Sequence, residues 1–432
     1  MSIRSSLKTI KEVFSNRNIL AIGLTTSLWT LCNSGWRPFW SMYLTEELGA
    51  NVAAVGLLST IQTADQLLFQ LPGGIMADKY GRRKIIVYGT ALRLLPPIIY
   101  WFSTHWTHTI LAVIINGAAS IYNPAFNAII ADSMPEEKRG AGYGAYRTIT
   151  SMPRIFSPLI GGIVMDMMGY KEGVRVFLVL SMITAIIITS VRAWAIKETL
   201  DLGDPSEVKE RKTPFKDSVK ETLTLPRQIW YMVIVAILGS FGSRLVMSYI
   251  PIYAMGAEGL ALSSSQYGLI QTIGAIFNTV LAMPGGLMAD RFGRKPMILL
   301  SRITGPLSLG LIPFTHSYES FFGARILNNI GAALGGGGRG RAGGPSWNAM
   351  LADMVPPEKR GTVLGTIGTL TGIIGVPSPI IGSYLWEVFS PMVAFQTSSI
   401  IGFLGAIIFF LFVKEHHGKH ISFGLLPVNS GD

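Results

Sequence analysis

Two charged loops occur twice in this chain, each set between long apolar runs. Gly74, Asp78, Gly81, Arg82 and Arg83 recur 212 residues later as Gly286, Asp290, Gly293, Arg294 and Lys295. Phe126, Asp132, Pro135, Lys138, Arg139 and Gly140 recur 221 residues later as Trp347, Asp353, Pro356, Lys359, Arg360 and Gly361. A chain of 432 residues that repeats its polar loops in the same order at half its length consists of two homologous halves. The apolar runs make each half a bundle of membrane helices, and a duplicated bundle places its binding site between the repeats.

A spanning helix needs about 20 mainly apolar residues. Such runs lie near 19–44, 52–77, 85–103, 108–131, 141–166 and 174–196, and again near 228–254, 264–289, 297–315, 319–351, 361–387 and 391–413. The expected organisation is a cytoplasmic N-terminal arm (1–18), a six-helix bundle (19–196), a polar cytoplasmic linker (197–227), a second six-helix bundle (228–413) and a cytoplasmic tail (414–432). Only 14% of residues are charged, against roughly 25% in soluble proteins, which again makes lipid the solvent.

The net charge of +11 raises the question of nucleic acid, and its distribution answers it. With the N-terminus inside, the arm, the recurring loops, the linker and the tail hold 24 of the 36 Lys and Arg, and the outer loops hold only Lys171 and Arg175. That asymmetry is the positive-inside pattern, so the charge sets orientation in the cell membrane, with both termini cytoplasmic. Cys32 is the lone cysteine and the six histidines are scattered, so no disulfide, metal site or bound cofactor is expected. The polar, basic first 18 residues and the length of the first run lead to the expectation of no cleavable signal peptide.

The paired Gly-x-x-x-Asp-[Arg/Lys]-x-Gly-Arg-[Arg/Lys] loops resemble the signature loop of the major facilitator superfamily. The likeness covers nearly the whole chain: twelve spans, six-plus-six symmetry, and signature loops after the second and eighth spans. It implies an all-α membrane fold of two pseudo-symmetric six-helix bundles. It also implies that the loops latch the halves together in the outward-facing state and release on inward opening. In physical terms Gly74 and Gly286 let a helix end pack closely, and Gly81 and Gly293 permit a tight reversal. Asp78 and Asp290 can accept hydrogen bonds from Arg82, from Arg294 or from a facing helix N-terminus. Asp132 with Arg139, and Asp353 with Arg360, are expected to extend the network, each Arg reaching a neighbouring loop's carboxylate. The alternative is that these charges only fix topology or sit in solvated turns.

A third pair, Ser157, Pro158, Gly161 and Gly162 against Ser378, Pro379, Gly382 and Ser383, lies in spans five and eleven. It resembles the antiporter motif of drug–proton exchangers, Gly-x8-Gly-x3-Gly-Pro-x2-Gly-Gly. Gly144, Pro158, Gly161 and Gly162 match, while Pro153 and Ser157 replace the two middle glycines. The proline kinks the helix and the glycines allow close crossing.

A charge at mid-bilayer costs at least ~2.5–3.5 kcal/mol, so each one kept there is a functional candidate. Asp65 precedes Asp78 by 13 residues, which sets it ~20 Å deeper along span two, near the midplane. A carboxylate removed from water favours its neutral form, as a proton-coupling site requires. The alternative is a structural ion pair with an arginine. Asp166 and Glu387 belong near the outer ends of their spans. Arg192 and Arg325 lie near span ends and are expected to snorkel, whereas Arg154 falls close to the midplane. Arg37 and Arg244 occupy similar places in spans one and seven, which line the central cavity in the resembling family. The expected cavity residues are Asn33, Trp36, Arg37, Tyr122, Asn123, Phe126, Arg154, Arg244 and Tyr249. An excess of cations there would favour an anionic substrate. The alternatives are arginines satisfying helix-end carbonyls and aromatics anchoring the interface.

Residues 335–344 are Gly- and Arg-rich and account for the nine-residue growth of the repeat shift. They lack the strand and the Lys-Ser/Thr of a nucleotide loop. No ATP-binding motif is present, so a proton gradient is the expected energy source. The expected function is alternating-access transport of a small molecule by a monomer: proton-coupled efflux of an amphipathic compound or drug. Uptake or exchange of an organic anion is the alternative, and a non-transporting sensor on the same fold is a third. No nucleophile–base pair suggests an enzyme.

Overall fold

The computed structural model describes residues 13–134, 139–200, 226–335, 345–355 and 360–415. The insert at 336–344, most of the linker and the tail lie outside them. The described chain is helical throughout and forms twelve membrane helices: α1 (Arg17–Trp36, resumed as Trp40–Glu47), α2 (Val52–Tyr80), α3 (Arg82–Leu92 and Leu95–Phe102), α4 (His108–Ala119 and Asn123–Asp132) and α5, which opens with Arg139–Ser151. The next helical segment, Pro153–Ala195, breaks at Gly169 (φ 77°) and so completes α5 and supplies α6. Gly173 packs against Met165, eight residues back, which an unbroken helix would hold about 12 Å away. The chain therefore doubles back at that glycine. The second half comprises α7 (Arg227–Val246 and Ile250–Met255), α8 (Ser264–Val280 and Ala282–Phe292), α9 (Arg294–Leu311), α10 (Tyr318–Leu334 and Pro345–Met354), α11 (Arg360–Gly375 and Ser378–Val388) and α12 (Pro391–Phe412).

Eight segments are long and apolar enough to cross a membrane on length and composition alone, nine with the bent pair in α8. One of the eight is the doubled α5–α6 segment, which crosses twice. The rest of the twelve, α1 and α10, are broken or polar helices that this simple measure misses. Ile183, Ile186, Ile407 and Phe410 are exposed, as side chains facing lipid must be.

Prolines explain the interruptions. Pro38 sits in the short 3-10 turn Arg37–Phe39 at the break in α1, and Pro124 and Pro251 sit in the first turn of the segment that follows the break in α4 and α7, where a missing N–H costs nothing. Glycines set the crossings. Gly161 of α5 abuts the carbonyl of Gly35 in α1, and its repeat counterpart Gly382 of α11 abuts the carbonyl of Leu245 in α7. A Cβ at either place would overlap backbone, so these contacts require glycine. Between the halves, Gly162 meets the Ser264 backbone, Gly268 meets the Pro158 carbonyl, and Gly56 meets Tyr249 and Ser383. The halves therefore meet along α5–α8 and α2–α11.

Candidate functional site

The two halves touch from one membrane face down to mid-depth, where Leu67 of α2 meets Gly372 of α11. This is the face opposite the signature loops. Two hydrogen-bonded clasps close it. The Asp166 carboxylate at the end of α5 accepts the N–H groups of Ser264 (2.7 Å) and Ser265 (2.8 Å) at the start of α8. Glu387 at the end of α11 accepts the Ala53 N–H (2.8 Å) at the start of α2. Asp166 and Glu387 are repeat counterparts, so one device is used twice: an anion on a helix N-terminus, whose unpaired N–H groups and dipole favour it. Ser41 Oγ donates to the Ser248 carbonyl (2.8 Å), and the Ser59 and Ser248 hydroxyls pair at 2.8 Å. Among the described residues no hydrogen bond, ion pair or ring contact joins the halves on the signature-loop side.

Beneath the clasps lies a cavity of about 300 Å³, lined from one half by Trp36, Arg37 and Trp40 and from the other by Ser248, Tyr267 and Arg325. Arg37 is exposed into it. Arg325 is 3% exposed, and its Nε and Nη1 have no hydrogen-bond partner among the described residues. The expectation that Arg325 and Arg192 snorkel is therefore corrected. Arg192 is equally buried and binds Thr25 (3.1 Å) and Thr90 (2.9 Å) beneath the rings of Tyr122 and Phe126. Their depth along the helix was legible; the inward rotation of the helix was not, because neighbouring helices set it.

The other expected cavity residues separate. Tyr249 is fully buried, donates to the Pro379 carbonyl and packs on Gly56, so it serves the contact between helices and leaves the cavity. Tyr122 is buried between the guanidinium groups of Arg93 and Arg192, both about 5–6 Å from its ring. Asn123 and Phe126 are half-buried on the same helix, and Asn33 is half-buried and donates to the Trp29 carbonyl (3.1 Å). Arg154 is exposed and lies in electrostatic range of Arg37. Arg244 is half-buried against Gly375.

Asp65 is 5% exposed and rests on Gly117 of α4, where even a methyl group would overlap its carboxylate. Among the described residues its Oδ2 has no hydrogen-bond partner, and none of the described ion pairs includes it. It lies inside the first bundle, off the cavity wall.

At the signature loops, Gly81 (φ 92°) and Gly293 (φ 95°) adopt the backbone that favours glycine. The close helix approach falls one residue earlier than expected. Gly73 and Gly285 abut the carbonyls of Ile121 and Ala333, whereas Gly74 is only loosely packed and Gly286 has open space. Arg82 pairs with Asp132 and Arg294 with Asp353, each within one half. Asp78 and Asp290 are exposed, and among the described residues neither carboxylate forms a hydrogen bond or ion pair. The expected reach of Arg360 to a carboxylate is corrected: it donates to the carbonyls of Ala352 (2.8 Å) and Val355 (3.2 Å), capping the helix before it. The Arg139 side chain lies outside the described residues.

Two homologous bundles, a cleft between them closed at one face, and a cavity at its closed end define a membrane carrier. Residues 22–263 and 254–424 match the Major Facilitator Superfamily, and the chain belongs to that family. It is 23% identical over 403 residues to an uncharacterised MFS-type transporter of Methanocaldococcus jannaschii, covering 91% of this chain and 94% of that one. It is 30% identical over 181 residues to the multi-drug resistance efflux pump PmrA of Streptococcus pneumoniae, 40% of this chain and 41% of the pump. The solved structure of a D-xylose–proton symporter superposes with a TM-score of 0.69 at 17% identity, covering 94% of this chain and all of that one.

Proposed function

We propose that this transporter exports an amphipathic small molecule by alternating access, with the signature-loop face toward the cytoplasm and a proton gradient as its energy source. The observation that carries the reading is the aromatic-walled cavity between the halves, beneath a face that the Asp166 and Glu387 clasps hold shut. On that orientation the structure is the inward-facing state. Asp65 is proposed as the proton carrier, because it is a carboxyl group buried at mid-depth that none of the described ion pairs includes. The exposed Asp78 and Asp290 are proposed to engage the facing half when the cleft closes on their side, the state in which the latch acts. The protein works as a monomer, since each chain holds both halves. The partial similarity to an efflux pump supports export.

The test is transport in proteoliposomes. Counterflow of an amphipathic dye, and uptake into inside-out vesicles driven by an acidic lumen, are expected. Absence of any exchange would instead favour a sensor. A second reading, uptake or exchange of an organic anion, is favoured by the arginines of the cleft: none of the described ion pairs involves Arg37, Arg93, Arg154 or Arg325.

A further inference from the structure

We infer that Arg37 and Arg325 form one anion seat that spans the two halves and receives the acidic group of a small organic acid. The inference rests on the reading of the cleft as the transport path and adds the chemistry of its cargo.

Arg325 is the starting point. A guanidinium that is 97% buried is retained in a membrane protein only when something compensates its charge. Among the described residues the protein supplies little: Nε and Nη1 have no acceptor, and the cavity beside them has no acidic side chain in its wall. Arg37 borders the same cavity from the opposite half, and its guanidinium takes part in none of the described hydrogen bonds or ion pairs. Two cations therefore border one small space, and the charge missing from it is negative. A carboxylate or phosphonate supplies that charge and matches the planar fork of either guanidinium. Trp36, Trp40 and Tyr100 complete the wall on one side, which suits a ring or short apolar body behind the acid. About 300 Å³ is the low end of ligand pockets, so the acid is small.

The seat also has a conformational consequence. Its two arginines come from different halves, so it is whole only while the face opposite the signature loops is closed. When empty, like charges oppose that closure. When filled, the anion bridges them. A ligand that binds one state better shifts the population toward it. The cargo itself thus favours closure behind it.

The experiment uses the full chain in phosphatidylcholine nanodiscs, which keeps anionic lipid from the seat. The probes are benzoate and its neutral isostere benzamide. The readouts are tryptophan quenching and the distance between spin labels placed across the clasped face. Wild type is expected to bind benzoate at least tenfold more tightly than benzamide and to shift toward the short distance on binding. Arg37→Gln and Arg325→Gln are each expected to weaken benzoate tenfold or more and to leave benzamide unchanged. Arg325→Lys keeps the charge and is expected to retain part of the affinity. Should Arg325→Gln fail to fold, Arg37→Gln carries the test, because that side chain is exposed. Equal binding of benzoate and benzamide, or unchanged benzoate affinity in both Gln variants, overturns the seat. Either result does so whether or not a cationic dye shows counterflow, so failure of the seat is distinct from failure of the carrier reading.

Discussion

The same helix crossing is built in both halves with its large and small residues exchanged. In the first half Asp65 of α2 lies over Gly117 of α4. In the second, the counterpart of Gly117 is Asn329 of α10, which lies over Gly274 of α8 and accepts a hydrogen bond from Asn278 (2.9 Å). The counterpart of Asp65 is Phe277. Each crossing needs one glycine to admit one polar side chain, but only one half admits an ionisable group. The duplicated skeleton of loops, clasps and glycine contacts is shared, while titratable chemistry at mid-depth is one-sided. If protons drive this carrier, they enter through the first bundle.

The largest expected effect follows from that asymmetry. Asp65→Asn keeps the shape and removes the titration. Transport driven by a pH gradient is expected to fall to the level of an ungraded control, while counterflow persists. Asn329→Ala and Asn278→Ala, on the other side of the comparison, should leave the gradient dependence intact and cost about 1 kcal/mol of stability for the lost hydrogen bond. Gradient-driven transport that survives in Asp65→Asn would remove that residue from the mechanism.

Next in size are the glycines. Gly117→Ala puts a methyl group into the Asp65 carboxylate, and Gly274→Ala puts one into the Asn329 amide. Overpacking of this kind costs about 1–3 kcal/mol, and thermal unfolding should show both. The two should differ in transport. Displacing Asp65 is expected to slow gradient-driven flux, whereas displacing Asn329 is expected to lower stability alone.

The repeated loops were legible because charges between apolar runs have few explanations, and glycines in a polar loop point to a turn, as Gly81 and Gly293 confirm. The crossing glycines Gly161 and Gly382 were legible because each follows a proline in the same repeated motif of an apolar span, where small residues let helices approach closely. What the sequence did not disclose was azimuth. Asp65, Arg325 and Tyr249 all had a readable depth, yet one faces a neighbouring helix of its own bundle, one faces the cavity and one is sealed under Pro379. A residue's depth is fixed by counting along the helix, whereas its facing is fixed by packing against helices distant in sequence. The one-residue offset from Gly74 to Gly73 has the same origin, since one step along a helix turns the side chain by 100°.

The clasps come next. Asp166 holds two N–H groups at the start of α8, and Glu387 holds one at the start of α2. A carboxylate at a partly exposed helix N-terminus contributes about 0.3–1 kcal/mol from the dipole, or up to ~2 in favourable geometry. Asp166→Asn is therefore expected to favour opening of this face several-fold, and Glu387→Gln somewhat less. The double variant should combine both effects. Accessibility of a cysteine placed near Ser59, measured with an impermeant reagent from that face, reads the shift. A larger effect from Glu387 would mean that number of bonds does not rank the clasps.

The smallest expected difference lies between the two signature-loop ion pairs, Arg82–Asp132 and Arg294–Asp353. Their aspartates are more than a third exposed, so each pair is worth about 0–1 kcal/mol after screening. The surroundings differ in one respect. In the first half Thr199, just beyond α6, donates to Asp132 (3.0 Å) and accepts from Arg82 (3.3 Å). In the second half no such hydroxyl joins the pair among the described residues. Double-mutant cycles on thermal stability, Arg82→Gln with Asp132→Asn and Arg294→Gln with Asp353→Asn, should give the larger coupling in the first half. Thr199→Val should bring it down to the value of the second. If the cycles agree before that substitution, the threonine adds nothing, and the two loops are energetically as well as geometrically equivalent.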